Sequence, residues 1–252
     1  MGASVADEPA SVDRAGVVDK VAAILDALEA GPAPLTSLVA ATGLPRATAH
    51  RLAVALGRHG LVGRDDAGRF VLGLRLIGLG RAAAGALPLR ALARPALEAL
   101  RQETGESVQL YVVEEYAEGG PGRRCVLSLQ SPHGLRWIVP EGALLPLDRG
   151  SAGRVLSSAG GRSPGESPAN RRASEAWVEP GWVEPGWIES VEEREPGVAS
   201  VSAGVRGPDG ALIAAVSVSG PIERLSRHPG ARFGVAVLAA AAAIEAEART
   251  IE

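Results

Sequence analysis

The chain of 252 residues has one cysteine, one lysine (Lys20) and only eight aromatic side chains: four Trp, two Tyr and two Phe. A single cysteine, Cys125, excludes an intramolecular disulfide framework and every zinc site built from clustered cysteines. So few rings argue against an RNA-stacking surface or an aromatic carbohydrate cleft. No apolar run reaches the roughly 20 residues of a membrane-crossing helix, and the longest, Phe233 to Ile244, is mostly alanine. The first residues carry Asp7 and Glu8 and lack the basic-then-apolar order of a secretory signal. These absences predict a soluble chain in a reducing cytoplasm, with no membrane partner. Catalytic patterns are missing as well. His50, His59, His133 and His228 share no ligand spacing with one another or with carboxylates, and there is no Gly-x-Ser-x-Gly elbow. Lys20 follows no glycine-rich phosphate loop, and Gly78-Leu79-Gly80-Arg81-Ala82-Ala83 follows no strand of a βαβ unit. The expectation is a non-enzyme that needs neither metal nor cofactor.

What is present is unevenly distributed. At 46% hydrophobic and 22% charged, the chain can build a packed core. Between Gly31 and Arg90 it carries eight arginines against Asp65 and Asp66, a local charge of +6 in a chain of net −3. A basic segment attached to an acidic remainder is the footprint of a DNA-binding domain joined to a partner domain. Chance clustering of surface arginines is the competing reading.

The periodicity supports the first. From Val17 the apolar positions Val17, Val18, Val21, Ile24, Leu25 and Leu28 follow a helical rhythm, stopped by Gly31-Pro32. Thr36 is placed to cap a short second helix burying Leu38, Val39 and Ala41, and Gly43 supplies a tight turn. A third helix starts at Pro45. Its inward face is Ala49, Leu52, Ala53 and Leu56. At 100° per residue, Ala47, His50, Arg51 and Val54 then point outward, with Arg46 and Thr48 flanking the first turn. A short helix, a tight turn and a polar-fronted helix make a helix-turn-helix whose second helix enters the major groove. Leu61 to Arg64 and Arg69 to Leu72, joined by Asp65-Asp66-Ala67-Gly68, read as a hairpin wing with Arg64 and Arg69 at its tip.

After Leu74 to Ala86, a Gly- and Ala-rich connector, a second domain begins near Leu87. Leu89, Leu92, Ala96, Leu97 and Leu100 mark an amphipathic helix ended by Thr104-Gly105. Strand-like segments follow at Ser107 to Val113, Cys125 to Leu129, Leu135 to Val139, Val198 to Val205 and Leu212 to Val218, and Arg232 to Ala248 reads as a closing helix. That order predicts an α+β fold with an antiparallel sheet. The expected organisation is a flexible tail at 1–12, a winged helix-turn-helix at 13–80, a linker helix at 81–89 and an effector domain at 90–252. Within the last, 157–190 reads as an irregular loop insertion. There a five-residue unit recurs, starting at Trp177, Trp182 and Trp187. It reads either as a loop bearing a duplication or as a lid whose indoles cover a pocket.

Several segments resemble the IclR family of bacterial transcription regulators: Leu44-Pro45-Arg46-Ala47-Thr48-Ala49-His50-Arg51-Leu52, Gly68-Arg69-Phe70-Val71-Leu72-Gly73, Leu145-Pro146-Leu147 with Ser151-Ala152-Gly153, Glu195-Pro196-Gly197-Val198-Ala199-Ser200-Val201, and Ala214-Ala215-Val216-Ser217-Val218-Ser219-Gly220-Pro221. They run in order over nearly the whole chain. Arg194-Glu195-Pro196-Gly197 and Ser219-Gly220-Pro221-Ile222-Glu223-Arg224-Leu225 look most like an actinobacterial branch associated with amino-acid biosynthesis, leucine among others. The resemblance implies a winged helix followed by a GAF-like effector domain, a homodimer through the N-terminal domains and often a tetramer. Gly204 departs from the proline usual there, which would loosen a strand start, and Gly160 to Trp187 does not resemble the helix-containing segment expected.

Two sets of site residues follow. For a double-stranded DNA operator, Arg46, Arg64 and Arg69 are placed for phosphates, Thr48, His50 and Arg51 for base edges, and Ala47 for a thymine methyl. Arg51 also has the option of pairing with an acid of its own domain. For a small-molecule effector, the resemblance points to a pocket between the sheet and the Ser151-Ala152-Gly153 turn. There the backbone N–H groups of Ser151 and Ala152, at a helix N-terminus, suit a carboxylate. Ser200, Ser217 and Ser219 correspond to pocket-lining positions of the family, though small residues on a tightly packed sheet would look the same. By resemblance the effector is an amino acid or an α-keto acid. The expected function is that of an effector-modulated repressor or activator. A small-molecule sensor acting through protein contacts, with a vestigial DNA-binding domain, is the alternative.

Overall fold

A computed structural model describes residues 16–116, 120–158 and 186–250. The tail expected at 1–12 and most of the 157–190 insertion, with Trp177 and Trp182, lie outside the described residues. Two compact units divide between Ala86 and Leu87.

The N-terminal unit begins with α1 (Val17–Glu29), where Ile24 and Leu28 are buried, but Val17 and Val18 are exposed and add nothing to the core. Helix α2 (Leu35–Thr42) starts from an N-cap at Pro34, not from a Thr36 cap. Proline presents an extended backbone and has no N–H to satisfy, so Thr36 falls inside the first turn, exposed. Ala41 is exposed too, and Thr42 takes the buried place. Its hydroxyl donates to Leu38 O at 2.7 Å and accepts from Leu44 N at 3.4 Å, which lets a polar side chain sit inside. Gly43 closes α2 at φ 65°, the left-handed conformation a glycine C-cap takes without strain. Pro45 is the N-cap of α3 (Arg46–Arg58), whose Ala49, Ala53 and Leu56 are buried. Strands β1 (Val62–Arg64) and β2 (Phe70–Leu72) form the hairpin, pairing Val62 with Leu72 and Arg64 with Phe70. Phe70 also exchanges two 2.9 Å backbone bonds with Ala33, which ties the α1–α2 connection to the wing. One core of Ile24, Leu28, Leu38, Ala53, Val62 and Phe70 joins these elements. Helix α4 (Arg75–Gly85) buries nothing, and the next helix starts at Pro88. Residues 81–89 therefore hold the end of one helix and the start of another, rather than a single linker helix.

In the C-terminal unit α5 (Pro88–Thr104) ends at Gly105, φ 70°. Six antiparallel strands follow: β3 (Ser107–Tyr116), β4 (Gly120–Leu129), β5 (Leu144–Pro146), β6 (Ile188–Val191), β7 (Val198–Arg206) and β8 (Leu212–Pro221). They lie in the order β5-β4-β3-β8-β7-β6. Helix α6 (Ser151–Ser158) precedes β6, and α7 (Ile222–Leu225) and α8 (Pro229–Arg249) follow β8. The strand period of two divides the sheet cleanly. Leu110, Leu127, Val201, Val216 and Val218 face the core that includes Leu97 of α5 and Val237 of α8, while Tyr111, Cys125 and Ala215 pack with Val155 and Leu156 of α6. Burial pushes the Cys125 thiol up to about 12, so it behaves as a small apolar side chain.

Three expectations for this unit need correcting. Leu135 to Val139 forms no strand, because the edge of β4 is taken by β5 and by Ala143, whose carbonyl accepts from Cys125 N at 2.9 Å. Arg136 instead bonds back to His133 O and Gln130 Oε1 at 3.0 and 3.1 Å. Ile188 to Ser190, the end of the expected insertion at 157–190, belongs to strand β6 on the β7 edge. Gly204 lies within β7, paired with Ala215, and loosens no strand start.

Beside the sheet, Arg224 holds the buried carboxylate of Glu106 bidentately, Nε to Oε1 at 2.5 Å and Nη2 to Oε2 at 2.9 Å. Gly220 makes room for it, since a Cβ there would stand 2.5 Å from Glu106 Oε2. Removing one partner leaves a buried charge without its counter-ion, which is far costlier than losing a surface pair. Arg224→Ala is expected to lower unfolding stability by about 3 kcal/mol in urea titration, and a loss below about 1 kcal/mol, the surface-pair range, would refute that role.

Candidate functional site

In the N-terminal unit the chemistry gathers at the start of α3. Arg46, Ala47, His50 and Arg51 are exposed and Thr48 is half-buried, its amide bonded to Pro45 O at 2.8 Å. The structure thus brings these five onto one free helix end. Arg51 has no ion pair among the described residues, so the intradomain pairing open to it is not formed. The wing arginines differ. Arg64 Nη1 donates to Gly68 O at 2.7 Å, and its guanidinium lies 4.1 Å from the Phe70 ring centroid. Arg69 Nε donates to Asp65 Oδ2 at 2.7 Å. That bond holds the Asp65 carboxyl below the usual carboxylate range. Asp65 Oδ1 also accepts from Ala67 N and Arg69 N at 3.1 and 2.8 Å, an Asx-type arrangement that shapes the turn. Both arginines therefore fold the wing tip while keeping exposed charge there, with the Arg69 side chain 48% accessible.

In the C-terminal unit the serines meet as the sheet dictates. Register pairs Ser200 with Ser219 and Ser202 with Ser217 across β7 and β8, so four hydroxyls share the α6 side. Ser151, the first residue of α6, drops its Oγ to 2.7 Å from both Ser200 Oγ and Ser202 Oγ. Ser219 donates to Gln109 Oε1 at 2.9 Å, and Gln109 Nε2 has no partner among the described residues. Over this patch lies an open recess whose empty space, mouth and adjoining solvent included, is about 390 Å³. Ser151, Ala152, Ser200, Ser217 and Ser219 all line it. At the α6 start, Gly150 N already bonds Glu193 Oε2 at 2.9 Å.

The same wall holds residues the sequence reading passed over: Tyr111, Arg123, Trp137, Ser190 and Arg194. Arg123 is 2% exposed. Its Nη1 donates to Pro146 O and, at 2.8 Å, to Arg149 O, and its Nε has no partner among the described residues. No carboxylate pairs with it among the described residues. Burial pulls the guanidinium down to about 10, which leaves it charged at neutral pH. The Tyr111 ring lies 5.4 Å from it and the buried phenol is pushed up by desolvation. Arg194 stacks 5.7 Å from Trp137. The available signal was Arg123-Arg124 inside a strand: successive residues face opposite sides, so one guanidinium had to turn toward the covered face. Arg124 is the other, bonded to Glu114 at 2.5 and 3.0 Å.

Trp187 does not cover this cavity. It packs against α8, where a Cβ on Gly230 or Gly234 would collide with its indole. The two glycines, four apart, make the groove that receives it. Among the described residues no group of histidine, cysteine and carboxylate side chains could hold a metal ion. No single helix there is long and apolar enough to cross a membrane.

Comparison with known proteins agrees with this two-part geometry. The IclR helix-turn-helix domain matches residues 17–66, and the bacterial transcriptional regulator IclR C-terminal domain matches residues 181–246. The glycerol operon regulatory protein of Streptomyces coelicolor is 31% identical over 225 residues, 84% of this chain and 87% of that protein. The transcriptional repressor IclR of Escherichia coli is 25% identical over 225 residues, 84% of this chain and 81% of its own. A solved IclR homologue from Microbacterium hydrocarbonoxydans, complexed with 4-hydroxybenzoate, shares the fold at a TM-score of 0.71 and 22% identity, over 93% of this chain and 100% of that one. The chain belongs to the IclR family of transcriptional regulators, DNA-binding proteins with an effector-binding domain, and is a regulator rather than an enzyme.

Proposed function

We propose that this regulator reads its operator with the exposed start of α3, aided by the wing, and changes its affinity when a small carboxylate occupies the serine-lined cavity. Arg46, with the charge of Arg64 and Arg69, contacts phosphates. Thr48, His50 and Arg51 read base edges, and Ala47 admits a thymine methyl. The backbone amides of Ser151 and Ala152, with Ser200, Ser217 and Ser219, hold the effector, an amino acid or α-keto acid. The carrying observation is the free cluster of Arg46, His50 and Arg51 at one helix end, with no intramolecular ion pair among the described residues. The likeness of Arg194-Glu195-Pro196-Gly197 and Ser219-Gly220-Pro221 to an amino-acid-biosynthesis branch supports amino-acid metabolism, leucine included, as the regulated process. The protein acts in the cytoplasm as a homodimer or tetramer, as the family resemblance implies. The effector domain begins at Leu87, three residues before the expected 90, and the N-terminal unit runs to Ala86, past the expected 80.

A gel shift on the chain's own upstream region, at several salt concentrations, tests the core of this reading. Specific binding whose affinity falls steeply with salt is expected. Salt-insensitive or absent binding would instead favour a sensor acting through protein contacts. Arg51→Ala is expected to cost about 1–3 kcal/mol in operator affinity and to relax base preference; unchanged affinity and preference would remove Arg51 from the reading face. Ser217→Val places a methyl where a hydroxyl lines the cavity. It is expected to abolish the effector response with operator binding intact, and a preserved response would exclude that serine from the site.

A further inference from the structure

Among the described residues the cavity wall holds two cationic side chains, Arg123 and Arg194, and no carboxylate. Arg123 Nη2 and Arg194 Cδ stand 3.3 and 3.0 Å from the same point, the place a Cβ on Gly150 would occupy. The Arg123 guanidinium and the Arg194 stem therefore flank one point, and the Arg194 charge adds to burial in disfavouring the charged form of Arg123. Arg123 is buried and fixed through Nη1 to two carbonyl oxygens, while its Nε has no partner among the described residues. A buried guanidinium without a counter-ion is unfavourable, and an anion bound in the cavity would offset part of that penalty. Arg194 is half-buried, has no ion pair among the described residues, and leans on Trp137. Of the nearby carboxylates, Asp148 acts on the Arg123 charge from a distance without pairing with it, and two others are bonded to other groups. Glu193 bonds Gly150 N and Arg154 Nη1, and Glu192 pairs with Arg227.

We propose that the effector is a small acid bearing two anionic groups, with Arg123 and Arg194 as the anchors that select it over a monoacid. This rests on the effector-cavity reading above and narrows its ligand class. Arg123 receives one carboxylate against the Ser151 end of α6, and Arg194 receives the second at the mouth, where Trp137 forms one wall. A neutral or zwitterionic ligand leaves the two guanidiniums opposed and one of them uncompensated. Arg123 sets the requirement for acid, and Arg194 sets the requirement for a second acid.

The test uses the full chain at constant ionic strength, with matched probes: succinate, malate and 2-oxoglutarate against butyrate, lactate and pyruvate, and leucine as a zwitterion. Thermal shift and calorimetry read binding, and operator affinity is followed in parallel. At ten times its dissociation constant a diacid is expected to raise Tm by about 3 °C. The best diacid is expected to bind about ten-fold or more tightly than its monoacid partner. Arg194→Gln, in a partly exposed loop, should fold normally and bring that preference to within about two-fold, whereas Arg194→Lys retains part of it. Arg123→Lys keeps a buried cation and is expected to bind both acids more weakly. Three results overturn the proposal: no diacid raises Tm, monoacids bind as tightly as diacids, or the preference survives Arg194→Gln. If a monoacid or leucine alone changes operator affinity, the regulator reading stands and the diacid proposal falls. If diacids bind with the predicted preference but never change operator affinity, the diacid site stands and its regulatory role falls.

Discussion

A guanidinium buried without a carboxylate beside it governs the arrangement of the C-terminal unit. Arg123 enters the α6 side of the sheet because β4 alternates its side chains, and its charge must be satisfied by dipoles where no counter-ion stands. Two carbonyl oxygens, Pro146 O and Arg149 O, do so for Nη1 and leave Nε without a partner among the described residues. The consequence is steric as well as electrostatic. The loop between β5 and α6 must wrap the guanidinium closely, and Gly153 is the residue that permits it. A Cβ there would collide with Arg123 Nη1 and Leu147 O. With the loop drawn in, Ser151 reaches the hydroxyls of β7. The cavity is the space left between that wrapped loop and the sheet.

The N-terminal unit uses the same side chain differently. Arg64 and Arg69 fold the wing tip through Gly68 O and Asp65, and Arg75 donates to His59 O at 3.0 Å, next to the end of α3. Arg46 and Arg51 have no such partner among the described residues. A cation already bonded to its own turn presents charge from a fixed place, whereas an unbonded one at a helix start is free to meet a phosphate or a base edge. Local charge alone could not separate these two populations, since both add equally to the basic segment.

Much of this was legible in the chain before any coordinates. The helical spacing of Ala49, Ala53 and Leu56 placed the outward residues of α3, and the alternation of Val216, Ser217, Val218 and Ser219 put the two serines on one face. Legibility failed where a partner far along the chain decides the outcome. Leu135 to Val139 has strand composition but no free strand edge beside it. Trp187, in an irregular repeat, is held by Gly230 and Gly234, some forty residues later. Arg123 reads as one more surface arginine until the strand it lies on is seen to be covered. Caps failed for a local reason: Thr36 and Pro34 both suit a helix start, and proline's fixed backbone prevails.

The account stands on Arg123 being a cation that waits for an anion from outside the fold. Side-chain NMR of its Nε–H, assigned by loss of the signal in Arg123→Lys, observes that group directly. On titration with succinate the resonance is predicted to move downfield and its exchange with solvent to slow, as a charge-assisted hydrogen bond forms. A resonance that stays in place throughout the titration, at unchanged exchange rate, would mean the buried charge is already satisfied and would contradict the account.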